Sequence, residues 1–342
     1  MKRLKTITNA PSLANKVAWL LAVVLVGALA DAEAAPAGGT APWAEGDRSV
    51  HDPSRIVRCE GRYWLFATGM GISSRHSADT VTWEPGPRVF TNAPAWTAEA
   101  VPGFRGHFWA PDVIHLNGRY LLYYSVSTWG SQVSAIGLAT NATLNPADPA
   151  FGWVDCGVVV QSRRGDDFNA IDPAVMLASD GRLWLVFGSF WGGIKLVELD
   201  PATGKRLDTN APPVGLAWKN EIEAAAMHQR DGYYYLFLNW GLCCRGTNST
   251  YNIRVGRSRL PTGPYLDLEG KDLLRGGGTL VLDSQGPRIG PGHAGFFTRE
   301  GQEYMSYHYY DGDRRGAKTL GIARLTWTAE GWPRVEFGGP PR

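Results

Sequence analysis

The sequence predicts an all-β protein folded as a five-bladed β-propeller. Three observations predict it: a hairpin pattern recurs five times, the composition favours turns and strands, and no stretch shows a convincing helical period. The chain has 342 residues, with 42 Gly, 22 Pro, 14 Trp and 13 Tyr. Gly and Pro punctuate turns, and aromatic residues favour strands. With 44% hydrophobic residues, the chain is able to bury a large core.

Residues 1–34 read as a signal peptide. Lys2, Arg3, Lys5 and Lys16 form a positive region, an apolar stretch runs from Val17 to Ala30, and Ala32-Glu33-Ala34 is a small-x-small cleavage site. The alternative is an uncleaved anchor, for which the apolar stretch is short. The mature protein is expected to be secreted or periplasmic and to start near Ala35. A short linker is expected over 35–47, and a single propeller domain over 48–342. The chain holds 34 basic and 32 acidic residues, and removing the leader leaves 30 of each. No basic run survives, which argues against nucleic acid and anionic membranes as partners.

The blades announce themselves through five matching segments. They begin HDPSRIVRCEG at His51, WAPDVIHLNG at Trp109, IDPAVMLASDG at Ile171, IEAAAMHQRDG at Ile222 and GHAGFFTREG at Gly292. Each runs into a turn glycine (Gly61, Gly118, Gly181, Gly232, Gly301) and then an aromatic-rich strand. A third strand of small and apolar residues follows, such as SAIGLATN or TLGIARLTW, and often an edge segment such as TWEPGPRVF or GWVDCGVVV. Four strands per unit at intervals of tens of residues is the signature of propeller blades. A β-sandwich gives no reason for one hairpin to recur five times.

Tyr63, Tyr120, Leu183, Tyr234 and Tyr304 lie just past the turns. Counting back eleven residues from each reaches Asp52, Trp109, Asp172, Glu223 and His293, with one residue of slack in the last repeat. The innermost strand of every blade lines the channel of a propeller. These five residues are therefore expected to ring one end of it. Asp112, in the APD triplet, falls out of this register and reads as a local hydrogen-bonding residue.

Three carboxylates in one cavity cannot all ionise freely, so at least one pKa is expected to rise. A protonated carboxyl beside an ionised one is the equipment for cleaving a glycosidic bond. Asp-Pro pairs such as Asp52-Pro53 and Asp172-Pro173 are common in turns, but the shared register favours function. His293 is expected to hold a metal ion or a water at the axis. Of the tryptophans near blade ends (Trp96, Trp129, Trp191 and Trp240), Trp191 joins Trp109 as a candidate for stacking on sugars. Cys59, Cys156, Cys243 and Cys244 match no zinc spacing. The adjacent Cys243 and Cys244 form either a vicinal bridge or two thiols.

At these residues the chain resembles glycoside hydrolase family 43, and within it the arabinan endo-1,5-α-L-arabinosidases. The matching stretches are HDPS at 51–54, FWAPD at 108–112, NAIDP at 169–173, SFWGGI at 189–194, IEA at 222–224, LCCRG at 242–246, STY at 249–251, PTGPY at 261–265 and GPGH at 290–293. Their order and spacing cover His51 to about Trp327. The resemblance implies a five-bladed propeller and hydrolysis of arabinan with inversion. It implies Asp52 as general base, Asp172 as the residue that orients the acid and raises its pKa, and Glu223 as general acid. It also implies His51, Trp109, Asn169 and Ser189 as sugar-binding residues, and His293 beside a central calcium ion held largely through water. Ala225 stands where the family often has proline.

The resemblance leaves an exo-acting arabinofuranosidase or a β-xylosidase open on the same scaffold. A sugar-binding propeller without catalysis has no need of three acids in one ring. The partner expected is an arabinan polysaccharide or oligosaccharide, and the expected assembly is a monomer.

Overall fold

The computed structural model describes residues 45, 46 and 48–337. The leader expected over 1–34 and nearly all of the linker expected over 35–47 lie outside the described residues. Among the described residues, the strands form five sheets, and these are the five blades of a β-propeller. Blade 1 is built on Val57–Cys59, Arg62–Ala67, Ser73–Ser77 and Thr82–Pro85. Blade 2 is built on His107–Leu116, Arg119–Val126, Ser134–Asn141 and Val154–Ser162. Blade 3 uses Ala174–Leu177, Leu183–Phe187, Ile194–Leu199 and Val214–Ala217; blade 4 uses Ile222–Arg230, Tyr233–Trp240, Asn252–Ser258 and Thr279–Leu282. Blade 5 uses Arg288–Arg299, Gln302–Asp311, Ala317–Trp327 and Pro333–Glu336. Two two-residue strands, Glu45–Gly46 and Gly69–Met70, extend blades 1 and 2. One five-residue helix, Trp96–Ala100, sits in the connection ahead of blade 2.

The blade strands read as unbroken apolar runs because both faces of each blade are covered. Every residue of Leu183–Phe187 is buried. Successive side chains of a strand point to opposite faces. Trp184 and Val186 therefore pack into blade 4, while Leu183, Leu185 and Phe187 pack into blade 2. In blade 4, Tyr234, Leu236 and Leu238 face blade 3, and Tyr235 and Phe237 face blade 5. Five apolar clusters result, one at each junction between neighbouring blades. Truncating a fully buried member such as Leu185 to Ala is expected to cost about 2–5 kcal/mol.

The ring closes between blades 5 and 1. Leu65 and Trp83 pack with Phe297 and Leu320, and the Leu320 N–H donates to the Arg48 carbonyl at 2.9 Å. Near the axis, buried Asp112 accepts from Arg55 N at 3.0 Å, from Arg55 Nη2 at 2.8 Å and from Val175 N at 2.9 Å. Its reach is wider than the local role expected, because it joins the innermost segments of blades 1, 2 and 3.

A ring of contacts lies just ahead of these residues along the inner segments. Asp52, Ala110, Asp172, Ala224 and His293 all have left-handed backbones, with φ between 44° and 62°. Each donates its backbone N–H to a side chain of the preceding blade. Ala110 gives to Thr68 Oγ1, Asp172 to Ser125 Oγ and Ala224 to Asp172 Oδ2. His293 gives to Asn239 Oδ1, and Asp52 gives to His308 Nδ1, closing the circle. Left-handed non-glycine residues cost on the order of 1–3 kcal/mol each, so the surrounding contacts hold these in place.

This circle corrects the expected single register. The left-handed position is Asp52, Asp172 and His293 in three blades, but Ala110 and Ala224 in the other two, one residue beyond Trp109 and Glu223. The hairpin turn of blade 3 holds one residue more than those of blades 2 and 4, and blade 1, with a turn as short as theirs, carries its extra residue within the inner segment, so equal counts from the turns do not reach equal places.

Candidate active site

A cavity of about 720 Å³ opens at this end of the channel. Asp52, Trp109, Asp172, Glu223 and His293 all line it, as do His51, Asn169, Ser189 and Trp191. Every residue singled out for chemistry or binding is therefore in one place.

Asp52 is held as an anion. Its Oδ2 accepts from Thr68 Oγ1 at 2.6 Å and from His51 Nδ1 at 2.8 Å. Burial alone pushes a carboxyl pKa up, but the His51 charge and hydrogen bond outweigh it, and Asp52 falls well below the usual carboxylate range. His51 moves the opposite way. Burial disfavours its charge, yet Asp52 prevails and raises its pKa to about 9. His51 Nε2 meets Tyr310 Oη at 2.8 Å, and Tyr310 Oη accepts the Cys244 N–H at 2.6 Å. Asp52 Oδ1 stays open towards His293 Nδ1 at 3.7 Å.

Glu223 and Asp172 lie on the opposite side of this balance. Glu223 is 9% exposed and Asp172 8%. Burial raises Glu223, with the Asp52 charge adding to the rise, against the pull of two hydroxyl donors. Those donors are Ser189 Oγ at 2.6 Å on Oε2 and Tyr251 Oη on Oε1. Asp172 rises well above the ordinary value through burial, then the charges of Glu223 and Asp52, opposed by the Ala224 N–H.

The hydrogen-bond partners of this close pair differ. A backbone N–H can only donate, so the Ala224 amide fixes Asp172 Oδ2 as an acceptor. The hydroxyls of Ser189 and Tyr251 are able to rotate and accommodate a protonated Glu223. One cavity thus holds a carboxyl driven towards its ionised form at Asp52 and two driven towards the protonated form at Glu223 and Asp172, of which Glu223 is the one bonded to hydroxyls that accommodate either form.

The walls suit a sugar chain. Trp129 is 76% exposed and stands edge-on to Trp109, with ring centroids 6.2 Å apart. Trp191, 43% exposed, lines the cavity from the 189–193 loop. Asn169 Oδ1 is buried and takes no hydrogen bond from the described residues. Trp96 and Trp240 stand elsewhere: Trp96 Nε1 donates to Asp155, and Trp240 lies between Lys219 and Arg254. Sequence reasoning missed Thr68, His308, Tyr310 and Trp129, and gave Tyr251 no role although STY was among the matching stretches. His308 and Tyr310 sit on a second strand and Thr68 just past one, where they look like ordinary residues of a hairpin.

Cys243 and Cys244 are two free thiols on the cavity wall. Cys244 Sγ lies 3.9 Å from His51 Nε2. For a metal ion, His51, Asp52 and His308 place ligand atoms within 4.8 Å of one another. Both His51 nitrogens are already engaged, and His308 Nδ1 accepts the Asp52 N–H. What remains is Asp52 Oδ1, the Nε2 of His308, unpartnered among the described residues, and the imidazole of His293, whose pKa burial lowers. Calcium takes six to eight oxygen ligands. These residues fit it only if water supplies most of the shell.

A family profile described as "Glycosyl hydrolases family 43" matches residues 46–333. The chain is 41% identical to an extracellular exo-α-(1→5)-L-arabinofuranosidase of Cellvibrio japonicus, over 84% of this chain and 86% of that one. It is 38% identical to an extracellular endo-α-(1→5)-L-arabinanase of Bacillus subtilis, over 88% and 91%. Among solved structures, an exo-1,5-α-L-arabinanase from a bovine ruminal metagenomic library superposes with TM-score 0.81 at 42% identity, covering 85% of this chain and 99% of that one. An endo-arabinanase of Bacillus licheniformis superposes with TM-score 0.79 at 40% identity, covering 85% and 99%.

Proposed function

This chain belongs to glycosyl hydrolase family 43, and on that premise we propose that it hydrolyses α-1,5-L-arabinofuranosyl linkages of arabinan with inversion at the anomeric carbon. The observation that carries the proposal is the split between Asp52 and Glu223: two carboxyls lining one cavity, one whose partners drive its pKa down and one whose burial drives its pKa up. Glu223 gives its proton to the leaving oxygen. Asp52 Oδ1, the oxygen left free by Thr68 and His51, takes a proton from the attacking water. Asp172 keeps negative charge close to Glu223 and so delays loss of the acid's proton. Trp109 and Trp191 offer apolar faces to the furanose rings, Asn169 and Ser189 offer polar atoms to their hydroxyls, and His51, whose two nitrogens are engaged by Asp52 and Tyr310, lines the cleft and fixes the base.

His293 and Asp52 Oδ1 are the groups that would hold a calcium ion through a mostly aqueous shell. Such an ion would supply positive charge beside the base. Export follows from the leader-like residues 1–34, with cleavage near Ala35, and accords with relatives named as extracellular.

The main reading is attack on internal linkages. Release from chain ends is the second, favoured by 41–42% identity to enzymes named as exo-acting. Product analysis on linear, debranched arabinan separates them, with xylan as control. A fast fall in viscosity with short arabino-oligosaccharides marks internal attack. A slow fall with a single small product marks attack at ends. Xylose products from xylan would move the substrate to xylosides, and cleavage of neither polymer would overturn the proposal.

A further inference from the structure

We propose that Trp218 forms an outer sugar-binding platform that continues the substrate path beyond Trp191. This rests on the reading of the cavity as an arabinan site. Trp218 lies outside the cavity, just past the blade 3 edge strand Val214–Ala217, and the residue is 45% exposed.

Trp218 is continuous with the site. Its indole Nε1 donates to the Trp191 carbonyl at 3.2 Å, and its backbone N–H donates to the Leu273 carbonyl at 3.0 Å. The loop bearing Trp191 is seated directly on this segment. A methyl group added at Gly193 would collide with the Ala217 carbonyl and come within 3.1 Å of Trp218 Cα. The same loop is pinned by Phe190 N–H to the Ile222 carbonyl at 2.8 Å. Trp191 and Trp218 are thus two exposed indoles held in a fixed relation, one inside the cavity and one outside it.

An exposed tryptophan whose N–H is spoken for has its apolar face left to offer. Large, rigid aromatic faces give contact area at low entropic cost. A polymer longer than the cavity passes over its rim, and its outer furanose rings are apolar on one face. The occupant assigned to Trp218 is therefore an outer arabinofuranose unit of a long α-1,5-linked chain.

The test compares long linear arabinan with arabinotriose for wild type, Trp218→Ala and Trp218→Phe, each checked for an unchanged melting temperature. For Trp218→Ala, KM on the long polymer should rise about three- to tenfold, with a several-fold smaller effect on the trimer. Trp218→Phe keeps a ring but loses the N–H, and should retain most of the polymer affinity. Equal losses on both substrates, for both variants, would reduce Trp218 to a brace for Trp191 and overturn the platform. Unchanged KM on the polymer would also overturn it. Wild type inactive on both substrates would instead overturn the arabinan reading. If Trp218→Ala fails to fold, Trp218→Leu supplies the ring-free comparison.

Discussion

Asp172 Oδ2 accepts the backbone N–H of Ala224 at 3.1 Å, so one catalytic candidate holds the residue next to another. At four of the five blade junctions, the corresponding amide is taken by a neutral Thr, Ser, Asn or His side chain on the preceding blade's second strand or just past it. Between blades 3 and 4 the carboxylate takes that place, and Ser189 is free to donate to Glu223. The placement of the candidate acids and the packing of the blades share the same bonds here.

Asp172→Asn keeps an acceptor for the Ala224 amide and removes only charge. Glu223 then loses a negative neighbour, and its pKa falls. The alkaline limb of the pH–rate profile should move to lower pH, with a loss of roughly tenfold or more near neutrality. The kcat profile from pH 4 to 9 checks this, and an unmoved limb with full activity removes Asp172 from the mechanism.

Much of this was legible in the sequence. The five hairpins carried the fold because a turn glycine followed by an aromatic run is local information. The three acids could be found because they precede the hairpins at nearly constant spacing. The shift by one residue at Ala110 and Ala224 was hidden, since it depends on bulges and turn lengths that only the strand ladders reveal. Thr68, His308 and Tyr310 were hidden for another reason. Each acts across a blade junction, and nothing in its neighbours along the chain marks the contact.

Asp112 offers a test of the axis. Replacing it with Asn leaves the Arg55 guanidinium without its anion and puts an amide NH2 among donors. Stability should fall by about 3 kcal/mol. Chemical denaturation measures this, and a change under about 0.5 kcal/mol, the size of an ordinary surface substitution, would show that the inner strands do not depend on it.

Glu303 tests the junction of blades 4 and 5. Burial pushes its carboxyl up, but His228 at 2.9 Å, Trp327 Nε1 at 2.7 Å and Arg230 at 2.5 Å bring it down to about 2. A depressed folded-state pKa contributes stability above the unfolded value, near 4.5, and that contribution is lost as pH falls through about 2. Glu303→Gln should cost about 1–2 kcal/mol at pH 7, and the gap to wild type should close on acidification. Melting curves at pH 7, 4 and 2.5 follow it; a gap independent of pH contradicts the assignment.

Calcium is tested by removal. Chelation should lower both the melting temperature and the rate, and added calcium should restore them. His293→Ala should abolish that response. Full activity and an unchanged melting temperature after exhaustive chelation would remove the cation from the account.

A proton NMR time course of linear α-1,5-arabinan cleavage tests the proposed division of labour between Asp52 and Glu223 most directly. New reducing ends should appear first as the β-anomer and then mutarotate, as expected if Asp52 directs water to the face opposite the bond that Glu223 breaks. First appearance of the α-anomer would contradict it, since retention requires one of these carboxylates to attack the sugar itself.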